Sequence, residues 1–291
     1  MGKEFYDSSP AARAIFEQAE KMIPGLIEVT FGGPSEKLTS TAFCQPAIFT
    51  FSIAAYKALQ VHPKFRDVRP QFACGLSLGE YSALSAAEAL SFEEALRLVE
   101  RRSAFMEEAT RLRRGTMAAI IGFDQKMLIA ICRETGAEVA NFNSPEQIVI
   151  TGESGKVEAA CARMKDAGAK RVIPLDVGGA FHSSLMLPAA TKFKEEVAKV
   201  QLRKPLFPVL SNVDAKPTQD PNAIKENLTK QITSSVKWVD SVNAIVKEGV
   251  TEFIEIGPGT VLKGLIRKIN PQLKVHNIQK PGDIEQLQTN A

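Results

Sequence analysis

Histidine, tryptophan and cysteine are scarce in this 291-residue chain, with three, one and four copies, and each scarcity narrows what the protein can be. Cys44, Cys74, Cys132 and Cys161 lie scattered through apolar or helical stretches with no CxxC spacing, which excludes a disulfide framework and a cysteine zinc site and leaves them as buried packing residues. Long apolar runs are missing too. None approaches the ~18 residues of a membrane span, and the opening MGKEFYDSSPAARAIFEQAEKM has no basic-then-apolar order of a secretory signal. The expectation is a cytoplasmic protein, or one of an organelle matrix after loss of a targeting segment, that does not engage membrane. Net charge is only +3, too little to argue for nucleic acid. What remains, 44% hydrophobic and 24% charged with no repeat or low-complexity tract, is the composition of a globular protein of one or two domains.

Within that frame the stretch GLSLGEYSAL, residues 75–84, stands out. Ser77 sits between Gly75 and Gly79, after the apolar run Gln71-Phe72-Ala73-Cys74 and before a helix start rich in small residues. A GxSxG turn between strand and helix cramps the backbone and lifts the serine hydroxyl above the sheet, where it can act as a nucleophile. Turns also favour glycine and serine for conformational reasons alone, so at this point both readings stand.

Helical spacing is predicted at 9–22, 45–60, 80–89 and 92–112, which with the strand at 71–74 is α/β grammar. From 117 the order changes to strand 117–122, helix 124–135, strands 137–142 and 147–151, helix 154–168 and strand 171–177, a split βαββαβ motif of ferredoxin-like type. Then follow a helix at 184–199, a strand at 207–211, helices at 222–232 and 235–248, a strand at 252–256 and a last helix after Gly257-Pro258-Gly259. The expected division is a large α/β part, residues 1–114 and 179–291, with 115–178 inserted.

A serine hydroxyl needs a base, most often histidine. His62 precedes the strand leading to Ser77, and His276 lies in a late strand-like segment without glycines. His182, in GGAFHSS, follows a strand and precedes a helix, where open α/β sheets gather catalytic groups; the competing reading makes it a neighbour of a helix cap at Ser183 or Ser184. Arg102 is an anomaly of another kind. Ser91 and Glu94 open its helix with a capping box, and Ala95, Leu98, Val99, Phe105, Met106 and Ala109 form an apolar stripe. At about 100° per residue Arg102 falls in the middle of that stripe. A guanidinium pointed at a core needs a partner, either an internal carboxylate or the carboxylate of a substrate.

Together these segments resemble the malonyl-CoA:acyl carrier protein transacylases and the acyltransferase domains of fatty acid and polyketide synthases. GLSLGEYSAL resembles the family's nucleophile motif, LVERRSAFMEEA its arginine helix, ANFNSPEQIVITG a segment of its small subdomain, AFHSSLM its histidine motif, KQITSSVKW its glutamine segment and EIGPGTVLKGL its carboxyl-terminal motif. The resemblance implies an α/β-hydrolase-like large subdomain with a parallel sheet plus the ferredoxin-like small one. It implies ping-pong transfer in fatty acid biosynthesis, in which Ser77 takes malonyl from malonyl-CoA and yields it to the phosphopantetheine thiol of acyl carrier protein. In that scheme His182 is the base, oriented by the main-chain carbonyl of Gln231. Arg102 holds the malonate carboxylate, the Leu78 N–H is an oxyanion donor, Gln45 lines the pocket, and Phe181 belongs to a malonyl-selecting AFH pattern. No cofactor is implied, and the expected form is a monomer.

Two departures from the family pattern carry expectations. Leu76 stands where most members have histidine, which alters the pocket. Members also begin with a strand ending in GQG that supplies a second oxyanion N–H, whereas Met1-Gly2-Lys3-Glu4 starts where that segment ends, so weak activity and reduced stability are expected. Part of the charged run Arg97, Glu100, Arg101, Arg102, Glu107, Glu108, Arg111, Arg113 and Arg114, with Lys170 and Arg171, is a candidate surface for an acidic carrier protein, and the competing reading is a solvated helix face. The alternatives are a lipase-type serine hydrolase, which would have no use for Arg102, and a carrier-binding protein that is never acylated.

Overall fold

The computed structural model describes residues 1–34, Glu36, Leu38 and 41–287. Helices α1 (Lys3–Ser8), α2 (Pro10–Met22), α3 (Leu26–Gly32) and α4 (Thr41–Val61) come first. In α2, Ser9 accepts the Ala12 N–H, Pro10 sits in the first turn, and Ala12, Ile15, Phe16 and Ala19 are buried on one face. Helices α1 and α3 were not predicted, because six or seven residues behind a glycine N-cap show neither an amphipathic repeat nor a polar cap.

Next come α5 (Gly79–Ala86) and α6 (Phe92–Leu112). Helix α5 stops short of the predicted residue 89 because Glu88 turns into the left-handed region at φ 58°. The capping box of α6 is formed: Ser91 Oγ accepts the Glu94 N–H at 3.2 Å and Glu94 accepts the Ser91 N–H at 3.0 Å.

The segment that follows runs β1 (Gly115–Ile121), α7 (Gln125–Thr135), β2 (Glu138–Ser144), β3 (Gln147–Glu153), α8 (Ser154–Asp166) and β4 (Arg171–Leu175). Its sheet has the order β2-β3-β1-β4 with every pair antiparallel. The alternation of β1 explains both faces. Ala118 and Ile120 meet Leu128, Ile131 and Met164 of the two helices, while Met117 and Ala119 point the other way, onto Val149 and Phe181. Edge strand β2 is covered by the segment at Val236, which bridges Asn141 in parallel and whose N–H donates to the Ala140 carbonyl at 2.8 Å.

The same register separates the basic surface residues. Gly115, next to Arg113 and Arg114, is at one end of β1, and Ile121, paired with Arg171, is at the other, about 20 Å away for six residues of strand. Lys170 and Arg171 therefore do not extend the cluster at Arg111, Arg113 and Arg114, and the single patch expected from sequence is divided.

The rest of the chain comprises a 3-10 turn (Ser184–Met186), α9 (Leu187–Lys199), β5 (Val209–Leu210), β6 (Pro217–Thr218), α10 (Pro221–Gln231), α11 (Trp238–Lys247), β7 (Glu252–Ile256), α12 (Val261–Ile269), β8 (Lys274–Ile278) and α13 (Pro281–Gln286). Parallel pairing joins β7 to β8 and Ala73 to Val209. The α/β class holds, but the strand predicted at 71–74 is one bridged residue. Ala73 exchanges hydrogen bonds with Pro208 and Leu210, and Gly75 then turns the chain away. Around these elements one large core, with Phe49, Phe51, Tyr81, Leu96 and Phe193 fully enclosed, packs beneath the segment carrying Ser77.

Candidate active site

Ser77 is held at φ 51°, a left-handed conformation that non-glycine residues rarely adopt. The turn closes because Gly75 has no side chain: a Cβ there would lie 2.1 Å from the main-chain carbon of Gly79. A Cβ on Gly79 would meet nothing within 4 Å, so only the first glycine of the motif is required by space. Gly75→Ala is expected to lose about 100-fold or more in turnover, because backbone cannot yield as a flexible side chain can. Gly79→Ala should stay within about threefold, since alanine suits the first turn of a helix. Steady-state rates on the two purified variants check this, and a Gly75→Ala enzyme with parental turnover would overturn the steric account.

His182, also left-handed at φ 58°, is 5% exposed and brings Nε2 to 2.8 Å from Ser77 Oγ. Its Nδ1 lies 2.9 Å from the main-chain carbonyl of Gln231. A carbonyl only accepts, so Nδ1 carries the proton and Nε2 is left to accept from the serine hydroxyl. Burial first, and the neighbouring Arg102 charge second, push His182 from 6.5 down to about 4, which keeps it neutral, with Nε2 free to accept a proton, at physiological pH. The competing reading is also partly realised: Ser183 Oγ accepts the Leu185 N–H and caps the 3-10 turn. The other histidines are engaged elsewhere, His62 with Glu285 and His276 with Glu252.

Arg102 is 1% exposed, and its partners are neutral. Its two terminal nitrogens donate to Gln45 Oε1 at 2.6 Å, Ser77 Oγ at 2.7 Å and Gln231 Oε1 at 3.1 Å, and the guanidinium lies 5.5 Å from the Tyr81 ring centroid. Among the described residues no carboxylate forms an ion pair with it, so the internal salt bridge considered from sequence is not what holds it. Among the described residues its hydrogen bonds go only to amide and hydroxyl oxygens, with the Glu80 carboxyl group one residue further away behind Gln231, and a buried cation so placed beside a serine is suited to a small acyl group that carries its own negative charge.

Ser77, His182, Arg102 and Gln231 are thus joined by hydrogen bonds, with Gln45 attached through Arg102, and the five are drawn from five separate segments. Leu78 caps α5 directly after the serine. Phe181 is partly buried between the main core and the open face of the small sheet, and Leu76 packs with the cluster around Val236 and Trp238. Beside His182 opens a cavity of about 260 Å³ lined by Cys132, Arg133, Glu138 and Thr233. The cysteines are all unpaired, and only Cys132 is fully buried, so three of the four are less enclosed than expected.

Sequence reasoning missed Glu80, Asn212 and the side chain of Gln231. Glu80, 3% exposed, accepts the Asn212 main-chain N–H at 3.0 Å and Gln231 Nε2 at 2.7 Å. Asn212 Oδ1 in turn accepts the Ser77 N–H at 2.6 Å. Burial raises Glu80 to about 7, with its hydrogen bonds and Arg102 opposing. The available signal was a lone carboxylate in an otherwise small and apolar helix, GEYSALSA, three residues past the serine.

Residues 1–281 match the acyl transferase domain family. The malonyl CoA-acyl carrier protein transacylase of Bacillus subtilis (strain 168) is 44% identical over 98% of this chain and 90% of its own length. Among solved structures, the acyl-carrier-protein-S-malonyltransferase from Bartonella henselae superposes with a TM-score of 0.94 at 37% identity, covering 98% of this chain and 93% of that one. A malonyl-transacylase in complex with its type II PKS acyl-carrier protein gives 0.94 at 36% identity, again covering 98% and 93%.

Proposed function

This chain belongs to the acyl transferase domain family, and we propose that it transfers malonyl from malonyl-CoA to acyl carrier protein through a malonyl ester on Ser77. The observation that carries the reading is the buried Arg102 guanidinium within hydrogen-bond reach of Ser77 Oγ, its hydrogen bonds among the described residues going only to neutral groups. In malonate the carboxylate and the thioester carbonyl are separated by one methylene, so a carboxylate on Arg102 places the carbonyl at Oγ.

His182 Nε2 takes the hydroxyl proton as Oγ forms its bond to the thioester carbon, and in this reading the Leu78 N–H, at the start of the helix, donates to the oxygen that becomes negative. Collapse breaks the C–S bond, and the proton passes from His182 to the CoA sulfur. In the second half the carrier's phosphopantetheine thiol loses its proton to His182 and attacks the ester carbonyl, and Ser77 recovers its proton as the C–O bond breaks. The exchange is redox-neutral and the chain's own groups move every proton, so the scheme calls for no cofactor. Gln45, Phe181 and Leu76 shape the acyl pocket in this reading. The scheme is read as that of a monomer, and four scattered thiols without CxxC spacing suit a reducing compartment, the cytoplasm. Among the described residues no helix is long and apolar enough to cross a membrane.

The test is intact mass after incubation with malonyl-CoA alone. The parent should gain one malonyl group and lose it again when carrier protein is added, while Ser77→Ala should gain nothing. A parent that stays unmodified, or a Ser77→Ala variant that is modified equally, overturns the reading.

A further inference from the structure

Glu80 touches none of the reacting atoms, yet it stands behind every group that does. Burying a carboxylate is costly unless its oxygens are satisfied, and here one oxygen takes both the Asn212 N–H and Gln231 Nε2. From that oxygen two arms reach the nucleophile turn. Through Asn212, 1% exposed, the first arm brackets the turn: Oδ1 accepts the Ser77 N–H at 2.6 Å and Nδ2 donates to the Gly75 carbonyl at 2.7 Å.

The second arm runs through Gln231, fully enclosed in the core. The Oε2 that takes the Asn212 N–H is an acceptor in either charge state of Glu80, so it fixes which end of the Gln231 amide faces it, and Oε1 is thereby turned to Arg102. The same Nε2 donates to the Ser77 carbonyl at 3.0 Å. That carbonyl and the Leu78 N–H belong to one planar trans peptide and point in opposite directions, so holding the carbonyl aims the N–H. Gln231 also supplies the carbonyl that orients His182.

We propose that Glu80 is the positioning residue of this site, accepting the Asn212 and Gln231 N–H groups so as to fix the peptide that presents the Leu78 oxyanion donor and the backbone of Ser77. The inference rests on Ser77 as the acylated residue. It differs from a stability role in what it moves: a carboxylate that merely fills the core would change the melting temperature and leave the rate per folded molecule alone.

The experiment is single-turnover malonylation at saturating malonyl-CoA, normalised to the folded fraction by near-UV circular dichroism. Glu80→Ala is expected to slow acylation about 100-fold with the half-saturating malonyl-CoA concentration within about threefold of the parent, because the misaimed groups act on the transition state. Glu80→Gln can offer its amide oxygen to the same two N–H groups and should recover to within about fivefold. Acylation by folded Glu80→Ala within threefold of the parent overturns the proposal. So does a Glu80→Gln enzyme as slow as the alanine variant, because charge and not the accepted hydrogen bonds would then matter. If Glu80→Ala does not fold, Asn212→Ala decides: it keeps the main-chain N–H to Glu80 and loses only the bonds to the turn. It should slow acylation about tenfold or more, and parental speed sinks the idea. A parent that takes up no malonyl sinks the proposed function instead, so the two failures are distinct.

Discussion

Changing His182 to alanine is expected to lower malonyl transfer by about ten-thousand-fold or more, and to slow both half-reactions together. In the proposed mechanism one imidazole takes the proton from Ser77 in the first half and from the carrier thiol in the second, so neither half can spare it. Separate single-turnover measurements of ester formation and discharge would show it; an alanine variant that discharges its ester at the parental rate would limit His182 to the first half. The pH dependence follows from burial. The folded imidazole is held down at about 4, below its ordinary 6.5, so the base is competent across the neutral range. The sign for stability runs the same way. Below 6.5 the unfolded chain binds a proton that the folded one refuses until about 4, so this group's contribution is present above 6.5 and lost as pH falls toward 4. Glu80 acts oppositely: raised from 4.5 to about 7, its contribution is present below 4.5 and lost as pH rises through about 7. The two slopes offset one another between 4.5 and 6.5. Removing the imidazole leaves the carboxylate slope alone, so the melting temperature of His182→Ala relative to the parent should be more favourable near pH 5 than near pH 7.5.

Ser77 and His182 could be read from sequence because their signals are local: a glycine-spaced turn, and one histidine of three placed after a strand. Arg102 was legible for a different reason, since a charge in the middle of an apolar stripe contradicts its own helix and has to be explained. The positioning groups carry no such contradiction. Asn212 and Gln231 are ordinary polar residues at a strand end and a helix end, and Glu80 in a first turn reads as a favourable partner of the helix dipole. Their meaning arises only when the chain brings positions 135 and 154 residues away onto Ser77. The βαββαβ order was legible because alternation and helical spacing switch cleanly there. The strand expected at 71–74 proved to be one bridged residue, because a short apolar run looks the same whether it pairs along its length or at one residue, as at Ala73.

Arg102→Ala should invert the choice of acyl group. Among the described residues the guanidinium donates its hydrogen bonds only to neutral groups, Gln45, Ser77 and Gln231. Removing it deprives a malonyl group of a buried charge-assisted pair worth about 3–5 kcal/mol when broken, which corresponds to a loss of about 100- to 1,000-fold or more in kcat/KM for malonyl-CoA. Acetyl-CoA offers no carboxylate and leaves the cation uncompensated in the parent, so the variant removes a penalty and acetyl transfer should hold or rise. Arg102→Lys tests the geometry separately. An ammonium is a point charge on a shorter reach, so it should restore part of the malonyl rate without the two-pronged fit. Competing the two thioesters in one reaction and weighing the acyl-enzyme gives the ratio directly. The informative failure is an equal fall for both substrates. Since Nη2 also donates to Ser77 Oγ at 2.7 Å and to Gln231 at 3.1 Å, that result would mean Arg102 holds the nucleophile in place and does not read the acyl group's far end.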